Sequence, residues 1–342
     1  MNTRARRSVA LITALALAVP AAVGTSAAVV AQDDGKFCEG TDIVFFPGGS
    51  PGGAFAQVVY NGAAAAADHL GANVAYSWTD WDENKMLTQF QEAVATDPDG
   101  IAIMGHPGDA NFKPLVDEAI ADGIIVTVMN TELPETQSEY APIGTGYVGQ
   151  TLYKAGNDLA NETIKRGELQ PGDRVFVWGL LAQEGRGERT RGIVEGFTNA
   201  GWVQGEDLVY LEMTQEINSQ ASLGVPVYVG IAEANPDLKA AVFDHGEMTA
   251  TAQNYLEAAG QGPDDVYVSG FDLAVPTVEA VRSGYTDLVI DQQQWLQGFE
   301  AVLQICLTDK YQFSGLHINT GGGFMDSSNV DALAELVELQ IR

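Results

Sequence analysis

The chain has 342 residues, with 46 acidic against 17 basic side chains and a formal charge of −29. A surface that acidic offers neither phosphate contacts nor counterion release, which excludes nucleic acid and anionic membrane as partners. About 300 residues are too many for one hydrophobic core of ordinary size, so two domains are expected. Residues 1–31 have a basic start (Arg4, Arg6, Arg7), an apolar run over 9–19, and small residues at Ser26, Ala28 and Ala31. That pattern predicts a secretory signal cut after Ala28 or Ala31. Its removal takes away three arginines and no acid, which moves the formal charge from −29 to −32. Cys38 follows Lys36 and Phe37, so no lipid-attachment motif precedes it, and no later apolar run is long enough to span a bilayer. In an exported chain Cys38 and Cys306 lie outside the reducing cytosol and are free to pair; spacing leaves open whether their Cβ atoms meet.

From Ile43 onward, short β-rich apolar runs alternate with helical stretches. Strands are predicted over 43–46, 73–77, 100–104 and 124–129, with helices over 53–70, 83–96 and 110–121. A second series follows, with strands over 141–144, 174–178, 208–213, 240–244, 266–270 and 288–290 and helices over 147–166, 189–200, 247–259 and 276–282. Two more helices are expected over 295–307 and 329–342, and Gly224 and Pro226 predict an interrupted helix over 222–233. Strand alternating with helix implies parallel sheets covered on both faces, here in two similar α/β lobes.

In such folds ligands bind beyond the carboxyl ends of the strands, so the residues there carry the functional reading. The sequence Pro47-Gly-Gly-Ser-Pro-Gly-Gly53 follows the first strand, but no lysine follows it and it fits no nucleotide fingerprint; its glycines let backbone approach a ligand. Phe55 then stands on the first helical turn, as a ring facing the cleft or as core. Trp78 and Trp81 lie in a polar, acidic loop, with one ring expected to face the cleft. His106 and Asn130 end the third and fourth strands, as ligand contacts or as turn and cap residues. Arg186, Arg189 and Arg191 crowd together in a chain poor in cations. Of these Arg189, at the expected start of a helix, is taken as the binding residue; Arg186 is expected in solvent and Arg191 on the far side of the helix. A surface cluster neutralising nearby glutamates is the alternative. Asp244, His245 and Glu247 close one strand, Phe271 and Asp272 the next, where a carboxylate accepts hydroxyl hydrogen bonds and a ring covers an apolar sugar face. Asp291-Gln-Gln-Gln-Trp295 then reads as strand, polar corner and helix, with three amides suited to a neutral, hydroxyl-rich ligand. No nucleophile elbow, zinc-spaced His and Cys set or other catalytic motif is present. A paired-carboxylate glycosidase built on Asp272 with Asp244 or Glu247 has little specificity in so acidic a chain.

Taken together, Asp97-Pro-Asp-Gly-Ile101, Arg189-Thr-Arg-Gly192, Val268-Ser-Gly-Phe-Asp272 and Asp291-Gln-Gln-Gln-Trp-Leu-Gln-Gly298 resemble the type I periplasmic sugar-binding proteins of ABC importers, in their ribose, xylose and xylitol-like branch. The resemblance implies two Rossmann-like lobes with parallel sheets joined by a three-crossover hinge, divided as 36–144 plus 292–319 and 145–291 plus 320–342. It further implies a monomer without cofactor or metal that closes on a small neutral sugar or polyol and docks on a membrane permease. Carried over by position, Phe55, Asn130, Arg189, Phe271, Asp272 and Gln292 match binding positions, and His106 and His245 fall near ones usually held by asparagine. Asn130 and Thr131 stand where the ribose pattern has Asp-Arg, which counts against ribose. A DNA-binding regulator is disfavoured by the export signal. A protein of the same fold for a chemotaxis or quorum ligand is the main alternative.

Overall fold

The computed structural model describes residues 35–342, so the expected export signal lies outside the described residues. The first series runs β1 Asp42–Gly48, α1 Ala56–Leu70, β2 Asn73–Trp78, α2 Glu83–Val94, β3 Gly100–Met104, α3 Gly108–Ala121, β4 Ile125–Met129, α4 Pro134–Tyr140 and β5 Gly146–Gly149. The second runs α5 Leu152–Arg166, β6 Arg174–Gly179, α6 Gly187–Asn199, β7 Leu208–Glu212, α7 Gln215–Ser219, α8 Val225–Ala234, β8 Leu238–Phe243, α9 Gly246–Ala258, β9 Tyr267–Phe271, α10 Val275–Arg282 and β10 Leu288–Asp291. The chain then adds α11 Gln294–Tyr311, β11 His317–Asn319, β12 Gly323–Met325 and α12 Val330–Glu338.

Two six-stranded sheets result, ordered β11-β5-β4-β3-β1-β2 and β12-β10-β9-β8-β6-β7. Every neighbouring pair is parallel except β10 with β12. Parallel strands need helices on both faces, which is why β3 (GIAIM) is apolar and buried along its whole length. The strand order reverses between β1 and β3 in one sheet and between β6 and β8 in the other. Loops leaving those strands diverge to opposite faces and open a crevice in each lobe. The chain passes between sheets after β5, after β10 and between β11 and β12, so the three crossings fall at 150–151, 292–293 and 320–322.

Each lobe carries a helix pair in unusually close contact. A Cβ on Gly62 would lie 1.9 Å from the Trp295 carbonyl oxygen, and one on Gly298 would lie 1.9 Å from that of Val59, so α1 and α11 meet backbone to backbone. In the second lobe α5 and α6 repeat the arrangement: a Cβ on Gly156 would lie 2.0 Å from the Arg189 carbonyl and one on Gly192 2.1 Å from that of Tyr153. Cys38 and Cys306 form a disulfide inside the core of the first lobe, with Cα atoms 5.4 Å apart.

Residues 141–144 are not a strand: Ala141–Ile143 is a 3-10 turn, because Pro142 has no N–H to give a ladder and Gly144 adopts φ 120°. The strand lies instead at Gly146–Gly149 and belongs to the first sheet, so the first crossing comes after Gly149 rather than at the expected 143–146. The stretch 222–233 is broken as expected, at Gly224, where a 3-10 turn over Ala221–Gly224 gives way to α8, but Pro226 is not the cause; it sits in the first turn of α8, where a missing N–H leaves no bond unmade. Helix α6 starts at Gly187, two residues before its expected start.

Candidate ligand-binding site

From the first lobe, four strand ends supply side chains to one cavity. Phe55 follows β1 and is 5% exposed. After β2, Asp80 and Trp81 both adopt positive φ, 54° and 57°, turning the loop back so that the Trp81 ring lies against the end of β1. Gly48 and Gly49 make that possible: a Cβ on either would come within 2.5 and 2.6 Å of the indole. The Trp81 ring centroid is 5.6 Å from Phe55, 5.1 Å from His106 and 6.3 Å from His245 of the other lobe. Asn130, after β4, also has positive φ, 60°, and is buried.

From the second lobe, Arg189 is fully enclosed at the start of α6, a position held by the close contact of that helix with α5. Its Nη2 donates to Gln292 Oε1 at 3.1 Å and its guanidinium lies 4.3 Å over the Phe271 ring. Gln292 sits in the second crossing. Its Oε1 also accepts from Asn130 Nδ2 at 3.0 Å, and its Nε2 donates to Asp272 Oδ1 at 2.6 Å. One amide thereby joins a first-lobe residue, a guanidinium and a carboxylate. The Nε of Arg189 and the Oδ1 of Asn218 are buried without a hydrogen-bond partner.

Desolvation sets the protonation of the site. Burial pushes Asp272 up to about 6, against the pull of Arg189 and the Gln292 amide. Burial first, then Arg186, brings Arg189 down to about 10, still charged at neutral pH. Enclosure, and then the two guanidiniums, hold His245 at about 3 and His106 well below its ordinary value, so both rings are neutral. His245 Nδ1 accepts the Glu247 backbone N–H at 3.2 Å, which leaves the ring hydrogen on Nε2 as a donor.

Phe55, Trp81, His106, Asn130, Arg189, His245, Asp272 and Gln292 therefore line one cavity, together with Leu180, Arg186, Asn218 and Gly246. Phe271 does not line it. Successive residues point to opposite faces, so while Asp272 reaches the cavity the Phe271 ring packs under Arg189 as a platform. Arg186 is not in solvent. As the residue before α6 it is 2% exposed, and it grips Asp244 through Oδ1 at 3.1 Å, Oδ2 at 3.2 Å and the carbonyl at 2.7 Å. A carboxylate with no exposure needs that countercharge, and the Thr190 hydroxyl adds a further bond. Arg191 is half exposed and pairs with Glu188 and Glu195. Among the described residues no group of three His, Cys, Asp or Glu is arranged to hold a metal ion.

The free space enclosed is only about 20 Å³, room for about one water. A larger ligand enters only if the lobes part, and two lobes joined by three short crossings can do so. The periplasmic binding protein domain model matches residues 43–306. The chain belongs to the periplasmic binding protein family. Among curated relatives, this periplasmic binding protein is 26% identical over 269 residues to the xylose/arabinose-binding protein XylF of Sulfolobus acidocaldarius, covering 75% of this chain and 64% of that one. It thus spans slightly less than two thirds of that relative. A putative rhizopine-binding protein of Rhizobium meliloti is 24% identical over 231 residues, covering 64% of this chain and 68% of that protein. Among solved structures, a carbohydrate transporter of Acidothermus cellulolyticus in complex with myo-inositol superposes with TM-score 0.74 at 23% identity, over 88% of this chain and 99% of that one. A solute-binding protein of Burkholderia graminis in complex with D-arabinose gives 0.73 at 20% identity, over 85% and 97%. At these identities the structures show the fold: two lobes with parallel sheets, as the sequence predicts.

Proposed function

We propose that the chain is an extracytoplasmic binding protein that closes its lobes on a small neutral sugar or polyol and hands it to the permease of an ABC importer. The observation that carries this is the Gln292 amide, held between Asn130, Arg189 and Asp272 at the seam of two lobes. Each member has donors or acceptors to offer hydroxyl groups, and a ligand that replaces their mutual bonds leaves no buried polar group unpaired. The charges fit a neutral ligand. Arg186 grips Asp244, and Arg189, 3.9 Å from the same carboxylate through Nε, also faces Asp272, so two guanidiniums are matched by two carboxylates. Trp81 and Phe55 supply apolar faces for the carbon side of a ring. Xylose and arabinose, named for one curated relative, and myo-inositol, bound in one solved structure, are of this class. The division into lobes is 36–149 plus 292–319 and 150–291 plus 320–342. Export through residues 1–31, action as a monomer and the absence of catalysis complete the reading.

Thermal-shift screening of D-xylose, D-arabinose, other pentoses, hexoses and inositols, followed by calorimetry, tests it. At least one is expected to raise the melting temperature and to bind one to one without turnover. Binding of none, or hydrolysis of aryl glycosides abolished by Asp272→Asn, would overturn it.

A further inference from the structure

We propose that Glu247 is a latch that holds the lobes together over the site by accepting the main-chain N–H of Ala54 from the opposite lobe. The proposal rests on the reading of the chain as a binding protein whose lobes close. Glu247 lies in the first turn of α9, in the second lobe, and Ala54 in the loop between β1 and α1, in the first. The Ala54 N–H donates to Glu247 Oε1 at 2.5 Å. Ala54 immediately precedes the cap of α1, so the carboxylate stands at the positive end of that helix. The preceding Gly53 gives it room: a Cβ there would lie 3.2 Å from the same oxygen. Burial raises the Glu247 pKa and the Ala54 N–H opposes that shift, as expected for a carboxylate drawn into a seam between two surfaces.

Glu247 does not line the ligand cavity. Its bond exists only between lobes and is lost when they part, so it stabilises the closed form alone. Neighbouring contacts run along the same seam. Gln215 Nε2 donates to the Trp81 carbonyl at 3.1 Å, Ser219 Oγ to that of Asp80 at 3.4 Å, and Gln183 Nε2 to Glu83 Oε1. On the first-lobe side, Ser50 Oγ donates to Asp80 Oδ1 at 2.6 Å and ties the glycine loop to the Trp81 loop. At Glu247 the charge meets main chain, so no donor rotamer has to be fixed on closing.

The test uses the full mature chain with spin labels at exposed positions of α2 and α9, introduced as Glu92→Cys and Glu257→Cys; no described cysteine is free to compete. Interlabel distances are read without sugar and with saturating D-xylose or myo-inositol. Wild type is expected to populate a short and a long distance. Glu247→Ala should shift the ratio toward the long distance by at least about tenfold, as loss of a charge-assisted bond implies. Glu247→Gln, whose amide oxygen still accepts, should stay within about threefold of wild type. Gly53→Val, which crowds the carboxylate from the other lobe, should act like Glu247→Ala and serves if that variant does not fold. An unchanged ratio in Glu247→Ala or Gly53→Val overturns the latch, as does a wild type that never populates the short distance. A wild type that closes but responds to neither sugar counts against the sugar-binding reading, and the Glu247→Ala ratio without sugar still decides the latch.

Discussion

Arg186, Arg189 and Arg191 lie within one turn and a half of helix, yet their truncation to alanine is expected to give three different signatures. Arg189→Ala removes the donor to Gln292 at 3.1 Å and the Nε that makes no hydrogen bond within the protein. A ligand hydroxyl or the Gln292 carbonyl is then left unpaired in a desolvated cavity, at a cost of roughly 2–4 kcal/mol, or about 30-fold to 900-fold in Kd. Arg186→Ala instead strands the Asp244 carboxylate, which has no exposure and loses two hydrogen bonds, while the Asp244 carbonyl loses a third. Breaking a buried pair in this way costs about 3–5 kcal/mol of folding stability, so its signature is a lower denaturation midpoint with or without ligand. Arg191→Ala breaks contacts to Glu188 and Glu195 on a half-exposed side chain, worth less than about 1 kcal/mol, and should leave Kd within about twofold. Calorimetry with the sugar found by screening, and urea denaturation of each variant, separate the three. Arg189→Ala binding as tightly as wild type, or Arg186→Ala as stable as wild type, would refute the division of labour.

Three further outcomes are expected. If ligand hydroxyls donate to ionised Asp272, whose carboxyl is pushed up to about 6 by burial in the closed, ligand-free cavity, binding favours the charged form; affinity is full above the pKa of the unliganded protein and falls about tenfold per unit below it, and titration at pH 7.5 and 5 should show this in wild type but not in Asp272→Asn. Gly192→Ala puts a Cβ 2.1 Å from the Tyr153 carbonyl, so α6 must move off α5 and carry Arg189 with it; about 1–3 kcal/mol of stability and at least about tenfold in affinity should be lost together, while a wild-type Kd would show that the helix contact does not position the site. Reduction, or Cys38→Ser with Cys306→Ser, should cost roughly 2–4 kcal/mol in urea, and an unchanged midpoint would mean that the disulfide does not constrain the unfolded chain.

The strand ends were legible because each combines a β-rich run with a polar stop, and parallel topology brings such stops to one edge. That ground alone marks the Trp78–Trp81 loop, His106, Asn130, Asp272 and the run of glutamines from Gln292, and the family resemblance singles out Asn130, Asp272 and Gln292. What escaped depends on partners far along the chain. Arg186 looks free until Asp244, 58 residues on, is seen to need it. Asn218 sits in a helix of five residues, too short for any period to show. Phe271 has the ring a sugar face calls for, but the alternation of faces next to Asp272 sends that ring beneath Arg189. The turn at 141–143 has the apolar look of a strand, and only Pro142 and Gly144 argue otherwise.

The disulfide between Cys38 and Cys306 spans 268 residues and makes most of the chain a covalent ring. Two of the three crossings lie inside that ring, and so does every element of the second lobe up to β10. A protease that cuts one exposed loop of that lobe before β10 therefore opens the ring without releasing a fragment. The nicked molecule keeps its two original ends, gains two more at the cut, and stays one covalent piece through the Cys38–Cys306 bond. Its mass on a non-reducing gel is that of the intact chain, and two pieces separate only after reduction.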